Sequence, residues 1–277
     1  MKKLAIGVLI AIGSWGMPAG AETTNCTQIA AVPTTLTTSG IYCLKSNLTT
    51  GRARGFAIRV RANNVVIDLN GFTLRNVRGA ATTAAGIFAR DKSNIVVRNG
   101  TIIGFYRGIY LDNNSGQSAN HLVEKIRGIG NGFAAIQVEG ENLVVRNNQV
   151  SQTGPNDDTI TANGIYVGDF KNARVSGNTV SDTQESQTAR GIFAISGSEI
   201  VIENNMVSDT NSATATYAVH VQSTNRAHIR NNQLLNQVSA TTGIRAVSSS
   251  GVTCTGNFID AFNNTHSTCN NISGTLP

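Results

Sequence analysis

The feature that most constrains this chain is an internal repeat. Units open on Gly55, Gly86, Gly108, Ala135, Gly164, Gly191, Ala218 and Gly243, each followed by an apolar residue, with successive starts 31, 22, 27, 29, 27, 27 and 25 residues apart. The stretches "NGIYVGDFKNARVSGNTVSDT" and "RGIFAISGSEIVIENNMVSDT" are close copies. Within a unit apolar and polar residues alternate, which is the period of a strand with one buried face. The apolar phase changes twice, so each unit holds three short strands joined at corners; in the unit from Gly164 they fall near 165–167, 173–175 and 179–181. Three such strands cannot close a core alone. Consecutive units must therefore stack, each strand pairing in parallel with its equivalent above and below at ~4.8 Å.

The corner between the second and third strands recurs as Asn70, Gly100, Asn148, Asn178, Asn205, Asn232 and Asn257. Asparagine tolerates left-handed backbone and bonds to nearby main chain, and stacked amides can donate one to the next. The unit from Gly108 lacks this residue in "ANHLVEKIRGIG", so an irregular coil is expected there. With 28 Gly, 4 Pro and aromatics at 5%, the composition is that of strands and tight turns.

These motifs, with "VVIDLNGFTL", resemble the coils of right-handed parallel β-helix proteins of the pectin-lyase-like superfamily, over residues 55–264. The resemblance implies an all-β, single-stranded right-handed parallel β-helix of about eight coils of three short strands. It is specific for fold and weak for function, because the superfamily includes lyases, hydrolases, epimerases, esterases and non-enzymatic surface proteins.

The remaining segments read as ends. Lys2 and Lys3, an apolar run over 4–12 and Ala19-Gly20-Ala21 mark residues 1–21 as an export signal, with an uncleaved anchor as the alternative. A stack exposes raw core and unpaired backbone at both ends, so 22–54 and 265–277 are expected as caps. Four cysteines allow three pairings. In a stack the chain ends lie tens of ångströms apart while bridged Cα atoms lie within ~7 Å, leaving Cys26–Cys43 and Cys254–Cys269. Cys254 falls at an inward position matching Val145, Val175 and Ile202. The net charge is +6, and +4 once Lys2 and Lys3 are lost. Nucleic acid is a poor partner for an exported chain with no basic run or reader motif. A secreted or periplasmic monomer is expected, with no membrane span after cleavage, no metal site and no cofactor.

On the first strand, the second residue after the opening position faces outward: Ala57, Phe88, Tyr110, Gln137, Tyr166, Phe193, His220 and Arg245. An exposed aromatic ladder suits the flat apolar faces of sugars; the alternative is a satellite core under long loops. Arg54, Arg107 and Arg190 precede opening glycines, and Arg59, Arg90 and Arg245 lie on the strands. Their guanidinium forks suit carboxylates, hence an acidic polysaccharide; the alternative is a solvated face with local pairs to Asp112, Glu139 and Asp169. Phe88, Tyr110, Phe193 and Arg245 are the candidate substrate-binding residues. Tyr166, Arg190 and His220 lie on three successive coils and are the candidate catalytic set for β-elimination, which needs a base at the sugar C5 proton and positive charge on the carboxylate.

Asp157 and Asp158 invite comparison with paired glycosidase carboxylates. The Gly-His-Gly and Arg-Ile-Lys elements of polygalacturonases and the Asp-Pro-His-Asp motif of mannuronan epimerases are absent, so this pair reads as solvated loop. His121, His228 and His266 have no matching partners in sequence and carry no assignment. The expected function is binding, with cleavage by β-elimination as a further step, of an acidic polysaccharide along the first-strand groove. The rival is a non-catalytic surface or periplasmic protein.

Overall fold

The computed structural model describes residues 24–237, 240–267 and 269–273. The expected export signal lies outside them. Within them the chain winds as stacked coils, and the strand pairings are parallel. Eight consecutive first strands run from Phe56–Val60 to Ala240–Val247. Ile58, Ile87, Ile109, Ile136, Ile165, Ile192, Val219 and Ile244 stand one above another and are fully buried. The second strands contribute the column Ile67, Val97, Val123, Val145, Val175, Ile202, Ile229 and Cys254. Leu74, Ile102, Gly128, Val150, Val180, Val207, Leu234 and Ile259 complete the core from the third strands. Each fully buried aliphatic side chain in these columns contributes about 1.5–3 kcal/mol relative to its exposure.

The opening glycines have a steric cause. A Cβ at Gly164 would lie 2.3 Å from Val180 Cγ1, and one at Gly191 equally close to Val207 Cγ1. The opening residue and its successor both face inward, because the chain bends between them. In the first unit this place belongs to Ala57 rather than Gly55, since Ile58 registers with Ile87 and Arg59 with Phe88. Arg59 therefore replaces Ala57 at the head of the outward column. Period-two alternation survives a slip of two residues, so it did not fix this register.

At five corners the left-handed residue is the one before the expected asparagine: Asn147, Gly177, Asn204, Asn231 and Gly256 have φ of 54°, 64°, 53°, 54° and 61°, whereas Asn70 is itself left-handed at φ 48°. The asparagines that follow form a buried ladder. Asn148 donates its backbone N–H and its Nδ2 to Asn178 Oδ1, both at 3.0 Å, and the pattern repeats through Asn205, Asn232 and Asn257. Each Nδ2 also reaches the carbonyl of a second-strand residue on the coil before, as Asn178 does at Val145. In the unit from Gly108 the corner is made by Lys125 at φ 53°, and Ile126 donates its N–H to Asn148 Oδ1 at 2.9 Å. That coil is irregular only there; Leu122–Ile129 keeps parallel register on both sides.

The segment expected as an N-terminal cap winds as one more coil. Thr34–Leu36, Gly40–Cys43 and Leu48–Thr50 pair in parallel with Phe56–Val60, Val65–Asp68 and Thr73–Asn76. At the other end Phe262–Ser267 and Asn270–Ser273 continue the stack. Disulfides tie both ends, Cys26–Cys43 with Cα atoms 5.8 Å apart and Cys254–Cys269 with 5.7 Å. Cys254 is buried at the inward position expected.

Candidate functional site

Two outward columns run along the first strands. One reads Phe56, Ala85, Arg107, Ala134, Asn163, Arg190, Tyr217 and Thr242; the other reads Arg59, Phe88, Tyr110, Gln137, Tyr166, Phe193, His220 and Arg245. Stacking at one coil height puts their rings in contact. Phe56 lies 4.0 Å from Phe88, Phe88 5.3 Å from Tyr110, Phe133 6.1 Å from Tyr166, Tyr166 5.4 Å from Phe193 and Phe193 5.0 Å from His220. Tyr217 closes the run 4.6 Å from His220. The gap between Tyr110 and Phe133 is filled by Arg107, whose guanidinium sits 4.7–4.8 Å from the rings of Tyr106, Tyr110 and Phe133.

This packing corrects the expectation of open sugar platforms. Phe88 and Phe193 are only 3% and 5% exposed, while Tyr110 and Tyr166 are half-buried. The rings cover one another, and Arg90 and Arg190 lie over Phe88 and Phe193 at 5.5 and 4.2 Å. The surface offered outward is thus guanidinium edge and tyrosine, seated on phenylalanine.

Of the three expected catalytic residues, Arg190 and His220 meet directly, and Tyr166 reaches them through the ring of Phe193. Arg190 donates Nε–H to His220 Nδ1 at 3.0 Å and an Nη1 hydrogen to Asn163 Oδ1 at 3.3 Å. Tyr166 packs edge-on against Phe193 beneath them. Their pKa values do not favour a base at neutral pH. Burial, with Arg190 and Arg245 nearby, pulls the His220 pKa down to about 3, so its ring is neutral. Its Nδ1 lone pair is taken by Arg190, which places the proton on Nε2. Burial and the charge of Glu139 push the Tyr166 hydroxyl up to about 12. Burial also lowers the Arg190 pKa. The cluster offers hydrogen-bond donors and positive charge.

A carboxyl pair that the sequence reading did not single out as a site lies at the centre of the face. Asp112 accepts from Tyr110 Oη at 2.9 Å and pairs with Arg90. Glu139, one coil further, accepts from Gln137 Nε2 at 2.6 Å, and Gln137 in turn accepts from Arg107 Nε at 2.6 Å. Burial, with the Asp112 carboxyl beside it, pushes Glu139 up to about 7 against the hydrogen bonds from Gln137 and the Asn113 N–H. The signal was in the numbering: Leu111 registers with Val138, so Asp112 meets Glu139. Tyr106, Phe133 and Tyr217 were also missed, because they precede the opening position instead of following it. Asp157 and Asp158 are exposed in a turn, as the loop reading has them.

The second-strand face is built differently. Its outward arginines are neutralised on the same face: Arg98 by Asp68, Arg146 by Glu124, and Arg174 and Arg230 both by Glu203. Among the described residues, Arg59, Arg107, Arg190 and Arg245 pair with no carboxylate.

The sequence matches the family described as "Right handed beta helix region" over residues 34–184 and 115–259. The chain belongs to this right-handed β-helix family. Comparison with curated protein sequences gives no match. Among solved structures of the same fold, the Dettilon tailspike protein superposes with a TM-score of 0.60 at 13% identity, over 86% of this chain and 54% of that one. Tailspike protein 2 of bacteriophage CBA120, in its enzymatically active domain, gives 0.58 at 15% identity, over 90% and 41%. A double mutant of the periplasmic alginate epimerase AlgG gives 0.53 at 9%, over 85% and 70%. This β-helix spans about half the length of either tailspike chain. At such identities the likeness is one of fold.

Proposed function

We propose that this β-helix protein binds an acidic polysaccharide along its first-strand face. One observation carries the reading: on the first-strand face Arg59, Arg107, Arg190 and Arg245 are held by neutral acceptors or aromatic rings and lack carboxylate partners, with Arg90 paired to Asp112 as the exception, whereas on the second-strand face Arg98, Arg146, Arg174 and Arg230 are each neutralised by a carboxylate. A guanidinium fixed in this way keeps free N–H groups for a carboxylate and loses little side-chain entropy on binding. The half-buried tyrosines beside it suit sugar faces. An alginate epimerase among proteins of the same fold agrees with this reading.

Two disulfides favour an oxidising compartment, secreted or periplasmic, and no helix among the described residues is long and apolar enough to cross a membrane.

β-Elimination is the second reading, supported by the Arg190–His220 contact and by Tyr166 one ring away across Phe193. It needs a base, and His220, weakly basic with its Nδ1 lone pair taken by Arg190, and the protonated Tyr166 are poor ones. The protein is expected to be retained on a polygalacturonate gel at low salt, released by salt, and not retained on neutral dextran; free passage through the acidic gel contradicts binding. Mixed with soluble polygalacturonate at pH 7 it should give no rise in absorbance near 235 nm. A rise abolished by Tyr166→Phe would instead establish elimination.

A further inference from the structure

Charge is not uniform along the face, and its order selects among acidic polymers. At the N-terminal end a cleft of about 470 Å³ is lined by Arg59, Arg61, Arg90 and Lys92, with Phe88 and Asp91. Arg107 follows on the next coil. Toward the other end stand Arg190 and Arg245. Between them the coils that carry Gln137 and Tyr166 place no cation on either outward column. Arg107 and Arg190 are three coils apart in register, ~14 Å at the coil rise. The stretch between carries Glu139, with Asp112 against it and Asp169 near enough to Tyr166 to raise its pKa.

Resting on the binding reading above, we infer that the face takes a polysaccharide in which uncharged sugars separate the acidic ones, an uncharged unit lying over Asp112 and Glu139. A polymer with a carboxylate on every sugar sets a negative charge over this half-buried pair, where water screens it poorly. A polymer alternating uronate with a neutral sugar can seat a carboxylate at Arg107 with the next, neutral ring on Phe133, or a carboxylate at Arg190 with the neutral ring before it on Tyr166. The groups facing Glu139 are Asp112, Tyr110, Tyr166, Gln137 and, through Gln137, Arg107; Arg90 reaches it only through Asp112. None places a full positive charge directly against Glu139, so its ionisation leaves the centre of the face negative.

The test is calorimetric binding at pH 8 and fixed salt, comparing hyaluronan, whose uronate alternates with an uncharged N-acetylated sugar, with polygalacturonate. Hyaluronan is expected to bind about 10-fold tighter per site. Glu139→Gln is expected to narrow the gap by strengthening polygalacturonate more than hyaluronan. In the wild-type protein the same narrowing is expected at pH 5.5, where Glu139 is protonated and uronates remain ionised, so the test does not depend on the variant folding. Polygalacturonate binding as tightly as hyaluronan at pH 8, or a gap that neither pH nor the variant alters, overturns this inference alone. Binding of neither polymer overturns it together with the reading it rests on.

Discussion

Asn205→Ala lowers the melting temperature by roughly 10 °C. The side chain accepts from Asn178 N–H and Nδ2 at 2.9 Å each, and donates to Val175 O and Asn232 Oδ1 at 3.0 Å each. Asn205 is 1% exposed, so alanine leaves the Asn178 N–H without a partner inside the protein and removes the amide bonds to Asn178 Nδ2, the Val175 carbonyl and Asn232 Oδ1. The stranded N–H costs about 1–3 kcal/mol and each of the three lost amide bonds about 0.5–1.5 kcal/mol, for a total of about 3–5 kcal/mol. For a domain of this size 1 kcal/mol moves the midpoint by about 2–4 °C. Asn142→Gly is the control. Asn142 also stacks between asparagines, bonded to Asn120 and Asn172, but on the exposed surface at φ 52°, which glycine adopts freely. It is expected to cost under about 1 kcal/mol. Calorimetric melting of both variants checks the pair; an Asn205→Ala protein melting within 2 °C of wild type would show that the ladder does not hold the coils.

Arg190→Ala weakens acidic-polymer binding about 10- to 100-fold, the loss expected for one or two charge-assisted hydrogen bonds. Arg190→Lys keeps the charge but not the planar fork that bonds His220 and Asn163 together, and should fall between. Arg107→Ala should match Arg190→Ala, since Arg107 is held the same way by Gln137 and three rings. Arg174→Ala removes the same charge from the second-strand face, where Glu203 already neutralises it, and should leave affinity within about twofold. Titration calorimetry reads all four. Equal losses from Arg174→Ala and Arg190→Ala would mean that net charge, and not the first-strand face, does the binding.

The coil register was legible because parallel stacking makes one residue's environment recur a unit later, so alternation and spacing reinforce each other. That signal placed Tyr166 over Phe193, Asn178 over Asn205 and Cys254 in the core. It failed at Ala57, where the first unit has no glycine at the bend and a two-residue slip keeps the same alternation. It was right about left-handed backbone at Asn70 but placed it one residue late at five later corners, because asparagine suits both a left-handed turn and an amide ladder and composition does not separate them. The site was harder. Which rings lie open depends on how neighbouring rings and flexible arginine side chains rest, and Phe88 and Phe193 are buried by the rings above and below them together with Arg90 and Arg190. His220 was legible as a position but not as a neutral donor, because its state is set by one hydrogen bond from Arg190.

The most direct test of polymer binding on the first-strand face is to record the arginine Nε–H resonances of the folded protein while hyaluronan is added at low salt. Binding there predicts that Arg107, Arg190 and Arg245 shift and that their exchange with water slows, with Arg98, Arg174 and Arg230 unmoved. Shifts confined to the second-strand arginines, or spread evenly over both faces, would contradict it.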